Sequence, residues 1–80
     1  MKNNKQQSAL IEAIEILGSQ TLLAEAIGTK QQNISYWLKH GFINPDFVIP
    51  IEKATNFKVS RHRLSPGIYP LDGDNSEEAA

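Results

Sequence analysis

A short run of polar side chains in the first half of the sequence has the chemistry needed to recognise DNA bases. It comprises Lys30, Gln31, Gln32, Asn33, Ser35 and Tyr36. Gln and Asn can each bond an adenine edge through two hydrogen bonds, Lys can reach the acceptors of guanine, and Ser can donate or accept. At the start of a helix, such side chains fit the major groove. The alternative is that they form only a solvated helix face.

Four residues around this run have the spacing of a helix-turn-helix. Ala24 lies within the first helix, where a larger side chain would hold the two helices apart, and Gly28 comes where the chain must turn with a positive φ. Ile34 and Trp37 then share one face of the second helix, turned back toward the first. We predict that Trp37 is a core residue rather than a platform on which bases stack.

Capping residues predict where the helices of this motif begin. Thr29 and Gln32 have the spacing of a capping box, which predicts a recognition helix over residues 30–40 that ends at Gly41. Ser19 is expected to cap a helix over residues 20–27. Gln20 then lies at a helix amino end, where it can contact a phosphate or simply be exposed to solvent.

The flanking sequence predicts further helices. Ser8 can cap a helix that ends at Gly18, and Asn44 and Pro45 can start a fourth helix. Pro50 would cost about 3 kcal/mol inside that helix, so we expect a kink, or a short turn with the helix restarting at Pro50. Ser60 can cap a last short helix. We therefore predict an all-α, five-helix domain over residues 8–70, a polar arm over 1–7 and a disordered acidic tail over 71–80.

Length and composition fit one small domain and argue against several other classes. The chain has 80 residues and no cysteine, so packing must hold the fold without disulfides or a Cys-based zinc site. His40 and His62 lack the spacing of metal ligands. The serines have no nucleophile motif around them. We expect no enzyme activity, metal, cofactor, membrane span or small-molecule ligand, and a cytoplasmic location.

The net charge of −1 is compatible with DNA binding because the charges are unevenly distributed. Four acidic residues lie in the last nine positions. Without them, eight basic and five acidic residues remain, a net charge of +3, and DNA binding requires only a local positive patch. Arg61 and Arg63 form one basic cluster, which can contact phosphates beside the operator or remain solvated. Arg61 can instead hydrogen-bond within the domain.

Two blocks of sequence resemble a known family. These are L-A-E-A-I-G-T-K-Q-Q-N-I-S-Y-W at residues 23–37 and I-E-K-A-T-N-F-K-V-S-R-H-R-L-S-P-G-I-Y-P at residues 51–70. Together they resemble the small Cro/C1-type helix-turn-helix regulators, and among these the YdaS-like Cro proteins of prophages, which are also labelled antitoxins. Two positions depart from the usual pattern of the family. Pro50 replaces a helix former, and Asn56 replaces a glycine whose left-handed conformation Asn tolerates.

The resemblance implies a repressor-type regulator that binds a short double-stranded operator, without enzyme activity or cofactor. The positions that would contact bases are Lys30, Gln31, Gln32, Ser35 and Tyr36. Contacts to the DNA backbone would come from Gln20, Thr29, Asn33 and Lys39, with Arg61 and Arg63 as the further candidates noted above. Tyr36 can touch a thymine methyl group or a phosphate, or only cover the edge of the motif.

One recognition helix covers too few base pairs to find a site in a genome, so we expect a homodimer at least on DNA. Ile68, Tyr69 and Leu71 either supply the dimer surface or fold back onto their own core. The competing hypothesis is an antitoxin or another protein-interaction module that grips a partner protein through the same fold. That role would favour an apolar recognition helix, whereas residues 30–33 are wholly polar.

Overall fold

The computed structural model describes residues 4–70, which form five α-helices and one 3₁₀ turn. The helices are α1 (Lys5–Leu17), α2 (Gln20–Ile27), α3 (Gln31–His40), α4 (Val48–Ala54) and α5 (Arg61–Leu64), with the 3₁₀ turn Pro45–Phe47 before α4. The predicted all-α fold is confirmed. The predicted acidic tail over 71–80 lies outside the described residues.

The helices pack around one core that each of them helps to build. α2 packs against α1, α3 and α4, and α5 packs against α1 and α4. The buried apolar residues are Ala9, Leu10, Ala13, Leu23, Ala24, Ile27, Ile34, Trp37, Ile43, Val48, Ile51, Val59 and Leu64. Within residues 4–70, no helix is both long and apolar enough to cross a bilayer.

The helix boundaries confirm most of the predicted caps. Ser19 accepts the Leu22 N–H at the start of α2, and Ser60 accepts the Arg63 N–H at the start of α5. Gly18, Gly28 and Gly41 follow α1, α2 and α3 in the left-handed conformation, which glycine adopts without a Cβ clash. The capping serines and the glycines act on residues close to them in the chain. The sequence alone therefore locates these helix boundaries.

The predicted start of α1 is wrong. The cap is Asn4 rather than Ser8, and Lys5–Gln7, which were placed in the arm, belong to the helix. Asn4 and Gln7 form a capping box, and each also bonds a distant carbonyl: the Asn4 amide donates to Gly41 O and the Gln7 amide to Leu38 O. Contacts with α3 and Gly41 therefore help to hold the first turn of α1.

Pro50 is accommodated without breaking a helix. The chain makes the 3₁₀ turn Pro45–Phe47, capped by Asn44, and α4 begins at Val48. This is close to the predicted turn and restart, but the helix restarts two residues before Pro50. Pro50 lies in the first turn of α4, where the backbone N–H of any residue would lack a helical partner, so the predicted cost does not arise.

Candidate nucleic-acid interface

The amino ends of α2 and α3 meet in a closed cycle of hydrogen bonds. The Gln31 amide nitrogen donates to Gln20 Oε1 at 2.6 Å and to Ser35 Oγ at 2.8 Å. Ser35 Oγ in turn donates to Gln20 Oε1 at 2.7 Å. Three of the predicted site residues are thus brought together, and each fixes the position of the other two.

The core side of α3 holds this cycle in place. Ile34 is fully buried and Trp37 is 5% exposed, with the Trp37 ring centre 5.5 Å from that of Phe47. The predicted core role of both residues is confirmed. Because these two side chains face inward, Gln31 and Gln32 in the first turn of α3 are left exposed.

The predicted capping box at Thr29 is wrong by one residue. Lys30 is the residue before α3, its backbone is extended, and no side chain caps the helix. Thr29 instead belongs to the end of α2, because its N–H donates to Ala24 O at 2.9 Å. Its hydroxyl accepts from the Asn33 amide at 2.7 Å. The first N–H groups of α3 are therefore left without a side-chain cap.

The solvent side of α3 is polar at its start and aromatic further along. Lys30, Gln31, Gln32 and Asn33 are exposed, as is Lys39. Tyr36 is 59% exposed, and its ring centre lies 4.1 Å from that of His40 one turn later. The surface therefore offers amide donors and acceptors, two ammonium groups and an exposed aromatic face.

Arg61 and Arg63 are engaged in ion pairs away from this cluster. The Arg61 guanidinium binds the Glu52 carboxylate, with Nη2 at 2.9 Å and Nε at 3.0 Å from Oε1, and the Arg61 N–H donates to Oε2 at 2.9 Å. Arg63 Nη2 lies 2.6 Å from Oε1 of Glu12. The sequence left three options open for Arg61: a phosphate contact, solvation, or a hydrogen bond within the domain. The structure shows the third of these.

The two ion pairs differ in burial. Burial raises the pKa of Glu52, but the hydrogen bonds and charge of Arg61 outweigh it, so the pKa of this carboxyl lies below its ordinary value. The same pair raises the pKa of Arg61. The hydrogen bond from Arg63 lowers the pKa of Glu12, although both side chains of that pair are more than 40% exposed.

Sequence reasoning passed over Glu52 although a signal was present. Glu52 shares a helical face with Val48, Ile51 and Thr55, all of them buried. A carboxylate on an apolar face of this kind requires a cation nearby. Arg61, nine residues later in the sequence, was available as that cation.

Comparison with known proteins places this architecture in a family. The sequence model of a family described as "Bacterial toxin YdaS" matches residues 10–72. The chain belongs to the YdaS family. This confirms the resemblance seen in the sequence, although the family is described as a toxin rather than an antitoxin.

A solved structure has a similar fold. It is the Cro protein from the prophage element Xfaso 1 of Xylella fastidiosa strain Ann-1, with a TM-score of 0.76 and 35% sequence identity. The alignment covers 79% of this chain and 97% of that protein, so the likeness includes the whole domain. No curated protein matches the chain. This YdaS-family chain thus has a Cro-like fold.

Proposed function

We propose that the protein is a sequence-specific DNA-binding regulator that reads an operator major groove with α3. The observation that carries this proposal is the exposed, wholly polar start of α3, held against Gln20 of α2 in a helix-turn-helix. Lys30, Gln31, Gln32, Ser35 and Tyr36 would contact bases. Gln20, Thr29, Asn33 and Lys39 would contact the DNA backbone, with Arg61 and Arg63 as further backbone candidates.

The hydrogen-bond cycle suggests how Gln31 would read a base. Its two amide hydrogens are bound to Gln20 and Ser35, whereas its Oε1 bonds no protein group within residues 4–70. Reading an adenine through two hydrogen bonds requires that oxygen and one amide hydrogen. Gln31 would therefore give up one internal bond, and Ser35 or Gln20 would take a new partner on the DNA. The other internal bond would keep the side chain oriented.

Gln20 is suited to join the DNA backbone to the base-reading side chains. Its Oε1 accepts from both Gln31 and Ser35, and this leaves its Nε2 pointing at no protein acceptor in the described part of the chain. We propose that this amide donates to a phosphate oxygen. The phosphate contact would then help to position Gln31, so that backbone binding and base reading support each other.

The two arginines are unequal candidates for phosphate contacts. Arg63 and Glu12 are both largely exposed, and such a pair is held weakly in water, so Arg63 can exchange Glu12 for a phosphate. Arg61 makes three contacts with a buried carboxylate. Its release would leave Glu52 buried without a cation, so we propose Arg63 as the stronger contact and assign Arg61 mainly to the fold.

Regulation would follow from occupying a promoter. One recognition helix contacts only a few base pairs, so we propose a homodimer on a palindromic operator with half-sites about 34–36 Å apart. Binding would exclude polymerase and repress the controlled gene. Tyr69 packs partly against the core and Ile68 remains 52% exposed, so only Ile68 of this pair stays available to a partner.

The test is binding of the protein to the DNA upstream of its own gene in a mobility-shift assay. We expect a discrete complex that weakens with salt and that a Gln31→Ala/Gln32→Ala variant loses, with a cost of about 2–5 kcal/mol on the specific site and far less on random DNA. Ser8→Ala is the matched control, because Ser8 is an exposed polar residue on α1. Equal binding of wild type and the double variant to both DNAs would contradict groove reading.

The description of the family supports a second candidate, a toxin that acts through a protein partner. The same double variant separates the two. If the protein inhibits bacterial growth when induced, and the variant that has lost operator binding inhibits growth equally, the toxic action does not require base reading. Loss of both activities together would assign the toxicity to gene regulation.

A further inference from the structure

An aromatic pair lies on the solvent side of α3, beyond the polar start of the helix. Tyr36 and His40 are four residues apart, so their side chains lie on the same face of the helix. Their ring centres are 4.1 Å apart and their ring planes are inclined by 40°. Tyr36 is 59% exposed, and His40 is exposed as well. The two rings therefore pack against each other on the surface of one helix.

Helix geometry explains which of the two rings holds the other. Side chains of an α-helix lean toward its amino end, so each residue covers the turn that precedes it. The His40 ring therefore lies over the Tyr36 side chain. By the same geometry, the Tyr36 side chain leans toward the turn that contains Gln32, which is exposed. His40 thus restricts the rotation of the tyrosine ring and leaves more than half of Tyr36 open to solvent.

The position of Tyr36 beside the amide side chains indicates which DNA group it would meet. Gln31 and Gln32 have the amides that pair with an adenine edge, and the thymine opposite adenine presents a methyl group in the same groove. Tyr36 lies one turn from Gln32, and Cβ atoms at this spacing are about 5–6 Å apart. Since successive base pairs are about 3.4 Å apart, the ring would lie about one or two base pairs from the adenine that Gln32 reads.

A fixed ring plane matters more for a methyl contact than for a phosphate contact. A tyrosine hydroxyl can reach a phosphate oxygen with only the tip of the side chain. An apolar contact uses the atoms of the ring, so it depends on how the whole ring is oriented. We propose, on the basis of the function proposed above, that His40 is a positioning residue that holds the Tyr36 ring against a thymine methyl group of the operator.

Two contributions to affinity follow from this arrangement. Burying one methyl group against an apolar surface strengthens binding roughly fourfold. Ordering a flexible side chain at an interface weakens binding roughly two- to tenfold, and a ring that is already held loses less freedom. Tyr36 would supply the first contribution, and His40 would reduce the second.

The test measures binding to operator duplexes in which one thymine at a time is replaced by uracil, which lacks only the methyl group. For the wild type, we expect a position in each half-site at which uracil weakens binding roughly fourfold. His40→Ala should bind the thymine operator roughly two- to tenfold more weakly than the wild type, and should lose most of the difference between thymine and uracil. His40→Phe keeps a ring against Tyr36 and should restore both properties.

Two control variants separate positioning from other roles. Lys39→Ala removes an exposed charge beside His40 and should weaken the thymine and uracil operators equally, because a phosphate contact does not sense the methyl group. Tyr36→Phe keeps the ring without the hydroxyl and should retain the dependence on the methyl group. Because His40 is exposed, His40→Ala should unfold at nearly the same temperature as the wild type.

Three results would overturn the positioning role. If operator binding is specific but no uracil substitution weakens it, Tyr36 does not contact a thymine methyl group. If His40→Ala weakens the thymine and uracil operators equally, His40 does not act through Tyr36. Both of these results leave the proposed regulator function intact. If the wild type binds no DNA specifically, the proposed function fails, and the methyl contact fails with it.

Discussion

Replacing Glu52 by Gln should destabilise the protein in a pH-dependent way. Glu52 is 5% exposed and its carboxylate receives three contacts from Arg61, at 2.9, 3.0 and 2.9 Å. A hydrogen bond to a charged group contributes about 1.5–3 kcal/mol. Gln keeps one acceptor oxygen but loses the charge and the second oxygen.

The expected loss of unfolding free energy is smaller than the summed contributions of the hydrogen bonds that are lost. The Arg61 side chain is 39% exposed, so water can solvate the guanidinium once its partner is gone. We expect Glu52→Gln to lower the free energy of unfolding by about 2 kcal/mol at neutral pH. For a domain of this size, that corresponds to a fall of about 10 °C in Tm. Thermal unfolding followed by far-ultraviolet circular dichroism measures it.

The sign of the pH dependence follows from the lowered pKa of Glu52 in the folded protein. A carboxyl whose folded pKa lies below its ordinary value of 4.5 contributes its full stabilisation above that value. It loses this stabilisation as the pH falls through the folded pKa. The difference in Tm between wild type and Glu52→Gln should therefore narrow as the pH is lowered below 4.5.

The exposed pair provides the control. Glu12→Gln removes the other described carboxylate that binds an arginine, but both partners are more than 40% exposed. We expect its Tm at neutral pH to stay within measurement error of wild type. The reasoning would be refuted if Glu52→Gln had no larger effect than Glu12→Gln, or if its Tm difference did not change on acidification.

Four further substitutions test the helix-turn-helix and its attachment to α1. Gly28→Ala should cost about 1–2 kcal/mol, because a Cβ there meets nothing within 4 Å and only the left-handed backbone is strained. Gly41→Ala, compared by the same denaturant titration, should cost more, since the added Cβ also collides with the Asn4 side chain. Trp37→Ala should cost about 3–5 kcal/mol, as expected for a large buried aromatic side chain, and chemical denaturation measures the loss. Ser35→Ala should leave Tm nearly unchanged but weaken operator binding in the mobility-shift assay, because it breaks the cycle that positions Gln31.

Much of this fold could be predicted because its signals are short-range. Ser19 and Ser60 bond N–H groups three residues away, and Gly28 and Gly41 end their helices by local conformation. The burial of Ile34 and Trp37 follows from their spacing on one helix. For these positions, neighbouring residues carry all the information needed.

The errors arose where distant residues decide the local structure. The helix α1 begins at Lys5 partly because Gln6 donates to Leu64 O and Gln7 to Leu38 O, 58 and 31 residues away in sequence. The direction of Arg61 depends on Glu52, nine residues earlier and on another helix. Thr29 matches a local capping pattern, but its backbone N–H belongs to the turn that closes α2, where it donates to Ala24 O.

The candidate DNA-reading helix is oriented from both of its ends by polar side chains. At its start, Gln20 of α2 accepts from Gln31 and Ser35. At its end, Gln7 donates to Leu38 O, and Asn4 donates to the carbonyl of the capping residue Gly41. Carbonyls at a helix end lack helical partners and require other donors. Because α1 supplies these donors and α2 holds the other end, a rotation of α3 about its own axis would break bonds to both helices. A fixed rotation is what base reading by side chains at set positions requires.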